Sequence, residues 1–258
     1  MFKKLIITSA IITALFNSAK AEAMPLIGDT APSFKAQTTL GEINFPNDYK
    51  GKWVVLFSHP ADFTPVCTSE FMAFQKAQPK FCSLNTQLLG LSEDNIEQHQ
   101  KWIESIKTLN FNEQKNIEIS FPIIDDANQS IAKKYGMLQK DKNKEKTVRA
   151  VFVIDPESKV RAIIYYPQTI GRYIPEIQRL LLALQTTDAF DVATPANWMP
   201  GDDVIVSSKN LPEDISDEKL KEEGITKHSP YLYTKKLDKQ TICDKLFASL
   251  KSASPQGL

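Results

Sequence analysis

Two periods of hydrophobicity alternate along the chain. Trp53-Val54-Val55-Leu56-Phe57 and Gln87-Leu88-Leu89-Gly90-Leu91 are short continuous apolar runs, the pattern of strands covered on both faces. After Cys67, apolar residues at Phe71, Phe74, Ala77 and Phe81 keep a helical spacing, with Pro79 near the end of that segment. Ile96 to Leu109 is a second amphipathic helix, and Asn128 to Tyr135 is a shorter one stopped by Gly136. Thr39-Leu40-Gly41-Glu42-Ile43 has the turn chemistry of a hairpin, and Phe121–Ile124 reads as a short strand. Val148–Asp155 and Val160–Tyr165 are strands joined by the turn Pro156-Glu157-Ser158-Lys159, and Ile174 to Leu184 is a strongly apolar helix. Strand–helix repeats followed by a hairpin and a helix predict an α/β fold, a mixed central sheet with helices on both faces.

Composition adds bounds. The chain has 258 residues, 42% hydrophobic and 24% charged, with a formal charge of zero, so no basic footprint for nucleic acid is visible. There is no Gly-rich phosphate loop and no CxxC, and the three histidines lie at scattered positions, so neither a nucleotide nor a metal site is suggested. Residues 1–23 are of another kind. Lys3 and Lys4 precede the uncharged apolar run Leu5–Phe16, and Ala19-Lys20-Ala21 and Ala21-Glu22-Ala23 both fit a small-residue cleavage site. This is the pattern of a signal peptide, and the run is too short for a membrane span of about twenty residues. An exported (periplasmic or secreted) product is expected, carrying 28 basic and 30 acidic groups once 1–23 are removed. The alternative is a cytoplasmic protein whose translation starts at Met24. Composition shifts again near Asp191: prolines at 195, 200, 212, 230 and 255 and the charged stretch Asp214–Glu223 mark an arm without a sizeable apolar pattern of its own. The expected division is therefore 1–23, 24–190 and 191–258.

The stretch His59-Pro60-Ala61-Asp62-Phe63-Thr64-Pro65-Val66-Cys67-Thr68-Ser69-Glu70 joins the first apolar run to the first helix. Strand, proline-bearing turn, cysteine and helix set a thiol at the positive end of a helix, where the thiolate is favoured. Most single cysteines are small apolar fillers, but the neighbours of Cys67 are hydroxyls and a carboxylate rather than aliphatics.

Pro60-x-x-x-Thr64-x-x-Cys67 resembles the signature of the peroxiredoxins (AhpC/TSA-like), the cysteine-based peroxidases. The longer string Ser58 to Thr68 is similar to the long one-cysteine subfamily. Similarity continues through Phe121–Asp126, Val148–Asp155, Tyr166-Pro167-x-Thr169-x-Gly171-Arg172 and Val192-Ala193-Thr194-Pro195-x-x-Trp198. The resemblance implies a thioredoxin-like fold with a small C-terminal dimerisation domain, a homodimer or higher homo-oligomer, and no cofactor or metal. It further implies a thiol-specific peroxidase reducing hydrogen peroxide and organic hydroperoxides through a cysteine sulfenic acid. In that chemistry Cys67 is the nucleophile, Thr64 hydrogen-bonds the peroxide, and Pro60 shields the sulfenate. Arg149, costly in an apolar strand unless paired or functional, favours the thiolate and binds the peroxide. Glu70 orients that guanidinium, and Arg172 is a secondary candidate following a glycine. His59 either tunes the sulfur or caps the strand end.

Two further cysteines bear on recycling. Cys82 lies fifteen residues after Cys67; an intervening helix places them about 22 Å apart, beyond disulfide reach, and Cys82 reads as a core residue. Cys243 is a candidate resolving cysteine without the Val-Cys-Pro context of typical two-cysteine relatives. Otherwise an external thiol is the reductant. Some long one-cysteine members carry a lipase serine before the catalytic strand; here Lys52 stands at that position and Pro46 where a histidine is expected, so that activity is not implied. The alternatives are a two-cysteine mechanism through Cys243, a thiol–disulfide oxidoreductase, which the missing CxxC argues against, and a redox-sensing holdase.

Overall fold

The structure is a computed structural model that describes residues 24–141, 144–212 and 214–252; the expected leader at 1–23 lies outside the described residues. The chain runs β1 (Phe34–Thr38), β2 (Gly41–Phe45), β3 (Trp53–Ser58), α1 (Pro65–Ser83), β4 (Thr86–Ser92) and α2 (Ile96–Lys107). It continues through β5 (Asn110–Phe111), β6 (Gln114–Lys115), β7 (Ile123–Asp125), α3 (Ser130–Lys134), β8 (Leu138–Asp141) and β9 (Lys144–Thr147). The main body closes with β10 (Arg149–Ile154), β11 (Val160–Tyr166) and α4 (Ile174–Phe190). Beyond it lie β12 (Asp203–Val206), α5 (Asp217–Glu222), β13 (Ile225–Ser229), β14 (Leu232–Lys236) and α6 (Lys239–Ser252).

Seven strands form one mixed sheet in the order β11-β10-β3-β4-β7-β1-β2. β3, β4 and β7 are parallel neighbours, and the outer pairings are antiparallel. The central β3 is buried along its whole length because both of its faces are covered. Trp53, Val55 and Phe57 join a core with α1, α2 and α4, while Val54 and Leu56 face a second core that includes Ile131 and Ala132 of α3. This arrangement carries the ends of β3 and β4 and the start of α1 to one end of the sheet, where Cys67 sits. Asn95 starts α2 with a reciprocal cap, its side chain accepting from the Gln98 N–H at 3.0 Å.

The structure departs from expectation in several places. The hairpins β5–β6 and β8–β9 have no apolar alternation to announce them. The helix expected over 128–135 is the short α3, and α4 runs to Phe190. The C-terminal arm does have a pattern of its own: β12, β14 and β13 form a three-stranded sheet, with a small core of Leu220, Ile225 and Tyr233. A second cluster there, with Trp198, Val204, Leu237 and Ile242, closes on Ala183 of α4. Among the described residues no helix is long and apolar enough to cross a membrane.

Candidate active site

The site is assembled by two breaks in regular structure. β3 ends at Ser58, and the chain turns through His59 and Pro60, both buried, to Thr64, the extended residue that precedes α1. Phe63 adopts a positive φ of 55° to make that turn. Pro65 takes the first helical position, where its missing N–H costs nothing. Cys67 therefore lies in the first turn of α1, among N–H groups with no partner inside the helix, and its side chain is fully buried.

Arg149, the first residue of β10, reaches this thiol. Its Nη1 lies 3.3 Å from Cys67 Sγ and donates to Glu70 Oε2 at 2.7 Å, while Nε donates to the Gln168 carbonyl at 2.9 Å. A guanidinium pinned by a carboxylate and a carbonyl thus sets one N–H directly against the sulfur. Glu70 lies one helical turn beyond Cys67, which puts both on one face of α1.

Arg172 is far more central than its place after a glycine suggested. It is buried, and Glu70 binds it with both oxygens: Nη2 to Oε2 at 2.6 Å, Nε to Oε1 at 2.8 Å, and the Arg172 backbone N–H to Oε1 at 2.8 Å. Its Nη1 donates to the Ser58 and Ala150 carbonyls at 3.0 and 3.1 Å, and the guanidinium lies over the Phe57 and Phe74 rings. Burial alone would raise the Glu70 carboxyl, but the charge and hydrogen bonds of Arg172, helped by Arg149, hold it below the usual carboxylate range. Thr64 is half-buried and its hydroxyl donates to the Ala61 carbonyl at 2.9 Å, which leaves the oxygen's lone pairs as acceptors. Beside it opens a cavity of about 600 Å³, lined among others by Phe63, Pro65, Trp102, Leu109 and Phe111.

His59 directly follows the last residue of β3, its backbone N–H donating to the Leu91 carbonyl at 2.9 Å. It is fully buried, Nε2 meets Asp62 Oδ1 at 2.8 Å, and the opposite oxygen of Asp62 meets His99 Nδ1 at 2.7 Å. The histidines that looked scattered are thus two-thirds gathered on one carboxylate. Sequence reasoning missed His99, although it shares the apolar stripe of α2 with Trp102 and Ile106, where a histidine needs a partner. Ligand-type atoms of His59, Asp62 and Asp94 lie within 4.8 Å of one another. The two carboxylates are already engaged with protein donors: Asp62 by two imidazoles, Asp94 Oδ2 by the Asp62 N–H at 2.8 Å and the Ser92 hydroxyl at 2.9 Å.

The other two cysteines fall elsewhere. Cys82 is exposed, correcting its assignment to the core: near the end of α1 the neighbouring Phe81 fills the inward position, and the next residue points about 100° away. Cys82 and Cys67 do share one helix, as expected. Cys243, also exposed, lines a cavity with Lys80, Ser83 and Leu84 at the far end of α1. Lys80 is thirteen residues from Cys67, about 20 Å of helix, so within one chain these two thiols are out of disulfide range.

The comparisons agree with this geometry. The AhpC/TSA family profile matches residues 27–163, and the profile for the C-terminal domain of 1-Cys peroxiredoxin matches residues 183–221. A peroxiredoxin of Methanosarcina mazei is 55% identical over 201 residues, covering 78% of this chain and 92% of its own. One of Aquifex aeolicus is 54% identical over 178 residues, covering 69% and 78%. Among solved structures, a yeast mitochondrial 1-Cys peroxiredoxin, described with a thiol resolving mechanism via glutathione/thioredoxin systems, aligns with TM-score 0.72 and 43% identity over 83% of this chain and all of its own. A cysteine-to-serine mutant of the peroxiredoxin 6 of Arenicola marina aligns with TM-score 0.72 and 35% identity, over 82% and 97%. With a buried thiol under a pinned guanidinium on a thioredoxin-like sheet, and relatives of this likeness, the chain belongs to the AhpC/TSA peroxiredoxin family of thiol-dependent peroxidases, with a 1-Cys-type C-terminal domain.

Proposed function

We propose that the chain reduces hydrogen peroxide and organic hydroperoxides at Cys67 by a one-cysteine route. The thiolate attacks one oxygen of the O–O bond; a sulfenic acid forms, and the other oxygen leaves as water or alcohol after taking a proton. Arg149 holds the sulfur ionised and meets the charge moving onto the leaving oxygen, Thr64 accepts a hydrogen bond from the hydroperoxide O–H, and Pro60 walls off the sulfenate. An external thiol then condenses with the sulfenic acid, releasing water, and a second thiol frees Cys67. The observation that carries this is the single Arg149 nitrogen shared between Cys67 Sγ and Glu70. The distance of Cys243 from the start of α1 supports an outside reductant, and the apolar cavity at Thr64 supports room for an alkyl group. Stopped-flow turnover with dithiothreitol tests it: hydrogen peroxide and cumene hydroperoxide should both be consumed, and not by Cys67→Ser protein. Insulin reduction without peroxide loss would instead mark a disulfide oxidoreductase, and client protection without peroxide loss a holdase.

We further propose export with removal of 1–23 and assembly as a homodimer or larger. What supports export is the lysine start, apolar centre and paired cleavage sites; Met24 already packs on Gly136 and Tyr165 of the folded body. What supports assembly is β11, an edge strand of the seven-stranded sheet with half-buried Ile163 and Ile164. Mass spectrometry of protein from its host and sedimentation equilibrium test the two: an intact leader, or a monomer at micromolar concentration, would refute them.

A further inference from the structure

His59, Asp62 and His99 come from the end of β3, the loop before α1 and the middle of α2, and all three are buried. Their proton inventory follows from their partners. His99 Nε2 faces the Ile124 carbonyl at 3.1 Å, and a carbonyl only accepts, so that nitrogen carries a proton. His99 Nδ1 and His59 Nε2 each face one oxygen of Asp62, at 2.7 and 2.8 Å. His59 Nδ1, by contrast, is buried with no hydrogen-bond partner among the described residues. A proton there would make a buried imidazolium with an unsatisfied N–H, whereas Nε2 has a carboxylate to donate to.

We propose that His99 is a positioning residue for the Cys67 site: by donating to Asp62 it leaves His59 neutral, protonated on Nε2, with Nδ1 a bare acceptor on a ring packed against Phe71 of α1. This rests on Cys67 being the reacting thiol. The link to the first turn of α1 is physical: the Trp102 ring stacks on His59 with centroids 5.1 Å apart, and its Nε1–H donates to the hydroxyl of Thr68, the residue after Cys67, at 3.1 Å. His59 also meets Phe71 of α1 edge-on at 4.7 Å. The charged and titratable groups facing His59 are Asp62 from its own loop, His99 from α2 and Asp94 from the loop after β4. Burial lowers the His59 imidazole below its ordinary value; Asp62 pulls it back up, and the charge of His99 pushes it down again. Without His99, Asp62 has one imidazole left to pair with, and the positive charge moves onto His59, next to Pro60. The rate at Cys67 would then follow the titration of His59.

Long-range 15N–1H spectra of the full chain read the tautomers directly, with assignments from single histidine replacements. In wild type at neutral pH, His59 should show a protonated Nε2 and a bare Nδ1, and His99 two protonated nitrogens. A protonated His59 Nδ1, or a neutral His99, overturns the proposal whatever the peroxidase activity proves to be. His99→Gln keeps a donor to Asp62 but removes the charge. It should protonate His59 Nδ1 and introduce a several-fold step in the Cys67 oxidation rate between about pH 5 and 8. An unchanged His59 and an unchanged pH profile would contradict it. Asp62→Asn can accept from His59 and donate to a neutral His99, so His59 Nδ1 should stay bare; its protonation in that variant counts against the proposal and keeps the test open should His99→Gln fail to fold.

Discussion

Arg172 closes on Glu70 through both carboxylate oxygens, at 2.6 and 2.8 Å, while a second guanidinium, Arg149, shares one of those oxygens at 2.7 Å. The pair forms a buried floor on which the nitrogen at Cys67 is aimed, because two cations converge on one anion and two carbonyls, those of Ser58 and Ala150, take up the excess. Glu70→Gln leaves two buried guanidinium groups short of an anion, and Arg172→Met leaves Glu70 underpaired and those carbonyls bare. Each should lower unfolding free energy by about 3–5 kcal/mol, read as a shift in urea midpoint. A change below about 1 kcal/mol would show that the floor is not structural.

Arg149→Gln removes the charge while keeping a donor of similar reach. Peroxidase kcat/KM should fall by about two to three orders of magnitude, the typical loss for a positioned charge-stabilising donor. Activity within a few-fold of wild type would remove Arg149 from the mechanism.

Thr64→Val deletes the hydroxyl whose hydrogen is committed to the Ala61 carbonyl. The lost acceptor should cost about 1.5–3 kcal/mol at the transition state, roughly ten- to hundredfold in rate, and Thr64→Ser should restore most of it. Failure of serine to rescue would point to the methyl group rather than the hydroxyl.

Much of this architecture can be read from residues alone, and the exceptions have physical causes. β3 and α1 were readable because a strand buried on both faces is continuously apolar and a helix with one buried face keeps its period. β5–β6 and β8–β9 were not, since strands of two or four residues with at most one apolar side chain each carry no period. Spacing and family pattern point to Cys67, Thr64 and Arg149, and the structure brings Arg149 Nη1 to 3.3 Å from Cys67 Sγ. The weight of Arg172 is not legible, because nothing local shows that residues 102 positions apart will form one ion pair. Residue type points Cys82 to the core, and its turn on the helix decides otherwise.

The buried acids and His59 set an acid limit. Glu70 and Asp62 titrate below the usual carboxylate range because guanidinium and imidazole partners outweigh burial, and His59 lies below its ordinary 6.5 because burial outweighs Asp62. In each case the unfolded chain binds a proton before the folded one, so stability is full above about pH 6.5 and falls with acid, first through His59, then through the carboxylates. Asp126, raised by burial, acts in the opposite direction, its penalty at neutral pH being relieved in acid. Urea midpoints should therefore fall steadily from about pH 6.5 to 4.5. A flat or rising midpoint over that span would contradict these assignments.

Gly90 has space only for a hydrogen: a Cβ there would lie 3.1 Å from the Phe71 ring and 3.6 Å from Phe57. Gly90→Ala should cost about 1–3 kcal/mol by displacing Phe71, which also bears on His59. A thermal scan showing no loss would mean that the ring yields freely.

The most direct measurement is the intact mass of wild-type, Cys67→Ser and Cys243→Ser protein after one equivalent of hydrogen peroxide. Wild type and Cys243→Ser should each gain a single oxygen, mapped by peptide digestion to Cys67, and Cys67→Ser should gain none. Oxygen appearing in the Cys67→Ser protein, or a loss of two hydrogens that vanishes in Cys243→Ser, would contradict a lone thiolate held ready by Arg149.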